Sequence, residues 1–205
     1  MVTDLYGGIL STAQALGIDP VDLATAISYE TGGTFDPLQA GPTTKWGQHR
    51  GLIQFGEPQA RQYGVDWSDP LGSQLGPQGA VARYLQDTGV RPGMGLLDIY
   101  SAINAGGVGR YDASDAAAGG APGTVRDKVM GQMAGHREKA LAMFGGAAPQ
   151  TPNFNPNVPM PAPTLGLDSL FAAAAPQRPR AEARENADAE KQRRLALFEA
   201  LPGLA

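Results

Sequence analysis

The stretch that decides the fold is residues 19–33, Asp-Pro-Val-Asp-Leu-Ala-Thr-Ala-Ile-Ser-Tyr-Glu-Thr-Gly-Gly. Asp19 suits a helix N-cap, and Pro20 suits the first helical position, where no backbone N–H donor is needed. Leu23 and Ile27 follow at helical spacing and give the helix one apolar face. The glycine pair then ends the helix. The segment therefore predicts an amphipathic helix that packs into a core.

Glu30 lies on the same apolar face, three residues after Ile27 and close to the helix C-terminus. Desolvation and the negative end of the helix dipole both disfavour its anion, so a raised pKa is expected. A carboxyl group with a raised pKa can hold a proton near neutral pH and deliver it as a general acid. The alternative is a boundary glutamate whose carboxylate simply reaches solvent.

Helical periodicity extends well beyond this segment. It predicts four further helices, over residues 4–16, 77–87, 96–104 and 124–144. Residues 41–55 lack the pattern and are rich in turn formers, which is typical of irregular structure or a short hairpin. We therefore predict a mainly α domain over residues 1–147.

The composition changes after this domain. Six of the residues in 149–163 are prolines, which favours an extended, polyproline-like chain and prevents a helix. We interpret residues 148–180 as a Pro-rich linker or strap. Residues 181–205 are rich in Ala, Glu, Arg and Leu and predict a C-terminal helix, which could dock onto a partner.

The overall composition excludes several classes of site. The 205 residues include no cysteine and only two histidines, so thiolate metal centres and cysteine nucleophiles are excluded, and we predict no metal or cofactor. A net charge of −4 argues against nucleic-acid binding, which needs a basic excess. No run approaches the ~20 apolar residues of a membrane span. The first residues show neither the basic start nor the apolar run of a signal peptide.

Two more segments place an amide side chain next to glycines, which let backbone approach a ligand closely. Gln54 follows Gly51 by three residues, and Asn104 stands two residues before Gly106. An amide both donates and accepts hydrogen bonds, which suits the hydroxyl and acetamido groups of a sugar. The alternatives are an ordinary turn at Gly51 and a helix C-cap at Gly106.

Three segments taken in order resemble the lytic transglycosylases of the soluble, lysozyme-like type. They are residues 29–35 (Tyr-Glu-Thr-Gly-Gly-Thr-Phe), 51–55 (Gly-Leu-Ile-Gln-Phe) and 102–106 (Ala-Ile-Asn-Ala-Gly). The resemblance covers about residues 3–144 and implies a lysozyme-like helical fold. It also implies cleavage of peptidoglycan between N-acetylmuramic acid and N-acetylglucosamine without water, which leaves a 1,6-anhydro ring.

The resemblance further implies roles for individual residues. Glu30 would be the single catalytic acid and base, and Thr31 would hydrogen-bond it in place of the usual serine. Gln54 and Asn104 would contact the N-acetyl sugars, and the segment that begins at Gly51 would line the glycan groove.

The sequence departs from the family at its tyrosines. Ile103 stands where the family has a tyrosine, and the start of the last predicted helix offers none. Tyr100 or Tyr111 could replace them in space, and Tyr100 is counted among the substrate-binding candidates. Trp46 could stack on a sugar ring or serve as ordinary packing.

Other functions stay open at this point. A hydrolytic muramidase would need a second carboxylate, for which Asp36 is a candidate, although an aspartate before proline more often starts a turn. The same fold could also serve as a weak glycan binder or a scaffold. Chains of this kind are common among tailed-phage virion proteins. We therefore expect virion association, delivery to the host wall, and docking to a protein partner through residues 149–205.

Overall fold

A computed structural model of the chain describes residues 4–118 and 120–145. Helices predominate, and the only sheet among these residues is a two-stranded hairpin, so the prediction of a mainly α fold is confirmed. In the same part of the chain, no helix is long and apolar enough to cross a membrane. The predicted linker over 148–180 and the predicted C-terminal helix over 181–205 lie outside the described residues.

The regular elements follow one another in this chain order: α1 (Leu5–Leu16), α2 (Pro20–Glu30), β1 (Ala40–Thr44), β2 (Gly47–Arg50), α3 (Glu57–Gln62), α4 (Pro70–Gln74), α5 (Ala80–Asp87), α6 (Leu96–Ala105), a 3-10 turn (Ala116–Ala118), α7 (Val125–Asp127), a π turn (Lys128–Gln132) and α8 (Ala134–Met143). Helices α3 and α4 were not predicted. They are only six and five residues long, too short to show a helical period.

Local signals set both ends of α1 and the start of α2, as predicted. The Asp4 carboxylate caps α1 by accepting a backbone N–H of the first turn at 2.7 Å. Helix α1 ends at Gly17, whose φ of 67° is unfavourable for a residue that carries a Cβ. Asp19 caps α2 by accepting the backbone N–H of Val21 at 2.8 Å, with Pro20 in the first position.

Helix α2 packs against α1, α6 and α8 and forms the centre of the core. Leu23 and Ile27 on its apolar face have no exposed surface. The carboxylate of Asp22, in the first turn of α2, binds two groups from other helices. One carboxylate oxygen lies 2.5 Å from a guanidinium nitrogen of Arg137 in α8, and the other accepts the backbone N–H of Leu96 at 3.1 Å. These contacts hold the start of α2 to α8 and to the start of α6.

The β1–β2 hairpin begins one residue before the segment 41–55, where the sequence indicated irregular structure or a short hairpin, and its strands are antiparallel. The buried side chain of Gln74 in α4 forms hydrogen bonds with the segments that lead into and out of the hairpin, which together form the base of the hairpin. The amide oxygen of Gln74 accepts the backbone N–H of Leu52 at 2.8 Å. Its amide nitrogen donates to the carbonyl oxygens of Pro37 and Pro70, each at 2.8 Å. One side chain thus joins the segments before and after the hairpin to α4.

Two helix predictions are wrong at their boundaries. Helix α5 begins at Ala80 rather than at Pro77, because residues 76–79 form a turn that is closed by a backbone hydrogen bond of 3.1 Å. The single helix predicted over 124–144 is divided into α7, the π turn and α8. A π turn carries hydrogen bonds between residues five apart instead of four, which breaks the regular period of the predicted helix. Lys128 at its first position and Met133 directly after it are both buried, each 1% exposed.

Candidate active site

Glu30 is the last residue of α2 and is partly buried. Burial raises the pKa of its carboxyl group to about 7, because the anion loses hydration. A hydrogen bond from Tyr100 opposes this rise, the negative charge of Asp115 adds to it, and the positive charge of Lys128 opposes it. The raised pKa expected from the apolar face is confirmed, and the carboxyl group can hold a proton near neutral pH.

Tyr100 reaches Glu30 from α6. Its side chain is buried, and its hydroxyl donates a hydrogen bond to the Glu30 carboxylate. Its ring meets that of Tyr29 edge-on, with 5.4 Å between the centroids. Burial and the nearby Glu30 keep the pKa of Tyr100 far above its usual value, so its hydroxyl keeps its proton. Tyr111, the other tyrosine considered from the sequence, instead donates to Asp98 at 2.5 Å.

Asp115 and Lys128 complete this cluster, and the sequence reasoning missed both. The Lys128 side chain is 1% exposed and forms an ion pair with Asp115, which is 33% exposed. Lys128 follows Val125 by three residues on the apolar face of the predicted last helix. A lysine is rare in such a position, which was an available signal. Asp115 lies in a loop without periodicity, and no sequence pattern pointed to it.

Asn104 joins the tyrosine to the ion pair. Its amide nitrogen donates to Asp115 at 2.7 Å and to the hydroxyl oxygen of Tyr100 at 3.3 Å. Its amide oxygen is buried and has no hydrogen-bond partner in the described part of the chain. A buried acceptor without a partner is costly, so this oxygen is a candidate contact for a ligand N–H or O–H group.

Gln54 lies at the base of the hairpin with the same kind of unpaired oxygen. Its backbone φ of 55° is positive, and its amide nitrogen donates to the carbonyl oxygens of Gly51 at 2.9 Å and Gln39 at 3.2 Å. Its amide oxygen is buried and unpartnered within the described residues. The oxygen lies against Gly41, where a Cβ atom would collide with it. Gln54 is thus held by its nitrogen, which leaves its oxygen as an acceptor.

Thr31 does not take the role that the resemblance implied. Its hydroxyl donates to the carbonyl oxygen of Ile27 at 2.8 Å and accepts the backbone N–H of Phe35 at 3.0 Å. A hydroxyl directed back along its own helix closes the helix end. The structure does not show the hydrogen bond from Thr31 to Glu30 that the resemblance implied, because the Thr31 hydroxyl donates to the carbonyl oxygen of Ile27 instead.

The remaining candidates lie on or near the hairpin. Trp46 is at its turn with 39% of its surface exposed, and the ammonium of Lys45 lies 5.3 Å from its ring centroid. The backbone of Gly51 has a φ of 91° and is buried. Asp36 is exposed and accepts the backbone N–H of Leu38 at 2.8 Å, which is the turn arrangement weighed as its alternative.

The structure therefore divides the predicted residues into two groups. Glu30, Tyr100 and Asn104 share one hydrogen-bonded cluster with Asp115 and Lys128. Gly51, Gln54 and Trp46 belong to the hairpin and its base. The chain matches no protein-family model, no curated protein and no solved structure.

Proposed function

We propose that the protein is a peptidoglycan lytic transglycosylase with a lysozyme-like domain. The observation that carries the proposal is a carboxyl group, Glu30, whose pKa of about 7 is combined with a hydrogen bond from the buried Tyr100. A group with this pKa can both give and take a proton at neutral pH. Transglycosylation needs one such group acting twice, and the ordered motifs of the sequence suggest the same chemistry.

In this mechanism Glu30 first donates its proton to the oxygen of the glycosidic bond. The resulting carboxylate then accepts the proton of the 6-hydroxyl group of the sugar, which closes the 1,6-anhydro ring and restores the acid. The Tyr100 hydroxyl stabilises the carboxylate between the two steps, since a hydrogen bond to the charged form favours that form. No water enters the products.

Two amide oxygens and one aromatic ring are the groups that would hold the glycan. The amide oxygens of Asn104 and Gln54 are buried acceptors without a partner among the described residues. An acetamido N–H or a sugar hydroxyl can satisfy each of them. Trp46 exposes part of its ring, and an aromatic face can pack on the apolar face of a pyranose.

The products of purified peptidoglycan test the proposal. Mass spectrometry of the soluble fragments should show anhydro-muropeptides with the native protein and none with Glu30→Gln. Fragments with reducing ends would show that water is the acceptor and would overturn transglycosylation. If neither protein released fragments and both were folded, the domain would be a binder or a scaffold.

A hydrolytic muramidase is the second candidate, and Asp115 favours it. Its carboxylate lies near enough to Glu30 to raise the pKa of that group, and a hydrolase needs a second carboxylate. However, both oxygens of Asp115 are engaged, one by Lys128 and the other by Asn104. A carboxylate engaged at both oxygens is poorly placed to activate a water molecule, so the single-carboxylate mechanism is the better fit.

The proposal extends to the location of the protein. We propose that it is carried in a tailed-phage virion and docks there through residues 149–205, with the wall of the host as its target. The support is the sequence of that region, with its proline-rich segment and its Leu-containing end. A chain without residues 149–205 should keep its activity on peptidoglycan and be absent from purified virions. Its presence there would contradict the docking role.

The pH dependence of the reaction should follow Glu30. The first step needs the protonated acid, so kcat/KM should fall as pH rises through about 7, since this ratio reports groups of the free enzyme. The descending limb of the plot of kcat/KM against pH is measured from rates of fragment release from peptidoglycan across neutral pH. Tyr100→Phe removes a hydrogen bond that lowers the pKa of Glu30. The descending limb of the pH profile of this variant should therefore lie at higher pH than that of the native protein. A limb that stays in place would contradict the assignment.

Gly41→Ala should weaken glycan binding without unfolding the domain. The new Cβ would collide with the amide oxygen of Gln54 and displace the group that we propose accepts a hydrogen bond from the sugar. Loss of one such bond should lower affinity by about tenfold, measured by calorimetry with a chitin oligosaccharide. Gly135→Ala is the matched control because a Cβ there meets no atom within 4 Å. Equal affinities of the two variants would contradict the role of Gln54.

A further inference from the structure

Lys128 has no role in the mechanism so far, although it is among the most deeply buried large side chains of the described chain. It is the first residue of the π turn and is as deeply buried as Met133, which directly follows that turn. Its ammonium pairs with Asp115. A buried ion pair is weak evidence for stability, because desolvation offsets much of the attraction. Stability alone therefore does not account for the buried lysine.

The hydrogen bonds that start at Lys128 all run in one direction. An ammonium only donates, and an ionised carboxylate only accepts. Asp115 receives Lys128 on one oxygen and the amide nitrogen of Asn104 on the other. Asn104 must therefore present its nitrogen to Asp115, and the same nitrogen also donates to the hydroxyl oxygen of Tyr100. That oxygen already has a donor, so the proton of Tyr100 is directed to Glu30.

We propose that Lys128 is a positioning residue, which acts through Asp115 and Asn104 to fix the hydrogen bond from Tyr100 to Glu30. The inference rests on the proposed function, since it treats Glu30 as the acid and base. It assigns a purpose to the buried ion pair: Lys128 holds one oxygen of Asp115, and the other oxygen of Asp115 holds the amide of Asn104 in one orientation. The same orientation leaves the amide oxygen of Asn104 as the acceptor for the ligand.

Glu30 has several charged or titratable neighbours, which the test must separate. Tyr100 and Tyr84 face it from α6 and α5, Asp115 from the loop before α7, and Lys128 from the π turn. Tyr29 adjoins it in sequence, and His136 of α8 packs on the ring of Tyr29 with centroids 5.2 Å apart. Of this group, only Lys128 and Asp115 form the ion pair that begins the relay.

The experiment is a carboxyl titration of Glu30 by carbon NMR on the full chain labelled at glutamate. The chain has seven glutamates, and the signal of Glu30 is the one that Glu30→Gln removes. Lys128→Met should raise the pKa of Glu30 by about 1, because a nearby cation and a donated hydrogen bond both favour the anion. Arg126→Met is the matched control. It removes a cation two residues away that is 51% exposed, and it should leave the titration unchanged.

The relay is separated from a simple charge effect by repeating the change in the Tyr100→Phe background. Tyr100→Phe cuts the chain of donors but leaves the distance from Lys128 to Glu30 unchanged. If Lys128 acts through the relay, the effect of Lys128→Met should shrink there, since coupled residues are not additive. An effect of equal size in both backgrounds would overturn the relay, as would an unchanged titration in Lys128→Met. If Lys128 only held the fold together, water entry would lower the pKa instead.

If Lys128→Met does not fold, Lys128→Gln keeps an N–H donor without the charge, and the pKa of Glu30 should shift in the same direction. The titration needs no activity, so it can succeed even if no peptidoglycan fragments are ever released. Failure of the relay and failure of the proposed function are therefore separate outcomes.

Discussion

Glu30→Gln should lower the rate of peptidoglycan clearing by about 100- to 10,000-fold, the usual worth of a positioned general acid. The amide has the shape of the carboxyl group and can still accept from Tyr100, but it has no proton to release. The leaving oxygen would then depart as an unprotonated alkoxide. Initial rates of turbidity loss measure the effect, at a pH below about 7, where the native carboxyl group is protonated.

The matched control is Glu138→Gln, the same chemical change at an exposed position in α8. It should leave the clearing rate unchanged, and circular dichroism should show both variants folded. Equal rates for the native protein and the two variants would mean that Glu30 is not the acid. The proposed function would then lose the observation that carries it.

Asp115→Ala should lower the free energy of unfolding by about 3 kcal/mol. The change leaves the ammonium of Lys128 buried without its partner, and breaking one side of a buried pair costs about 3–5 kcal/mol. The lower end of that range applies because the Asp115 side chain is 33% exposed, so water can enter when it is removed. Urea unfolding of the full chain, followed by tryptophan fluorescence, measures the change.

Asp112→Ala is the control for that variant. Asp112 lies 3.7 Å from Arg126 in an ion pair whose side chains are 88% and 51% exposed. Exposed pairs contribute about 0–1 kcal/mol, so this variant should unfold almost as the native protein does. If Asp115→Ala were equally mild, the ion pair of Lys128 and Asp115 would not have the cost that we assign to breaking it.

The helices that carry the site could be predicted because their signals are local. Asp19 and Pro20 mark the start of α2, and the glycines after Glu30 mark its end. The spacing of apolar residues in α6 likewise predicted its bounds to within one residue. Such signals act within one turn of the chain and do not depend on the rest of the fold.

The contacts that complete the site could not be predicted, because they join segments far apart in the sequence. Tyr100 meets Glu30 only when α6 packs on α2, and Asp115 reaches Asn104 from an irregular loop. For Thr31, by contrast, a long-range contact was expected that the structure does not show. A resemblance gave it a partner across the site, whereas its hydroxyl is satisfied by the backbone of its own helix end. The Thr31 hydroxyl forms hydrogen bonds with nearby backbone groups, which need no packing between distant segments.

The π turn makes the site sensitive to the length of the chain at one point. Each residue advances a regular α-helix by about 100°, so one codon more or fewer between α7 and α8 rotates everything beyond it by that angle. A surface loop absorbs such a change at little cost. Within residues Lys128–Gln132 the same change would put the packing of α8 on α2 out of register with the ion pair of Lys128 and Asp115, while every amino acid of the site stayed the same. At this position, insertions and deletions are therefore as consequential as substitutions.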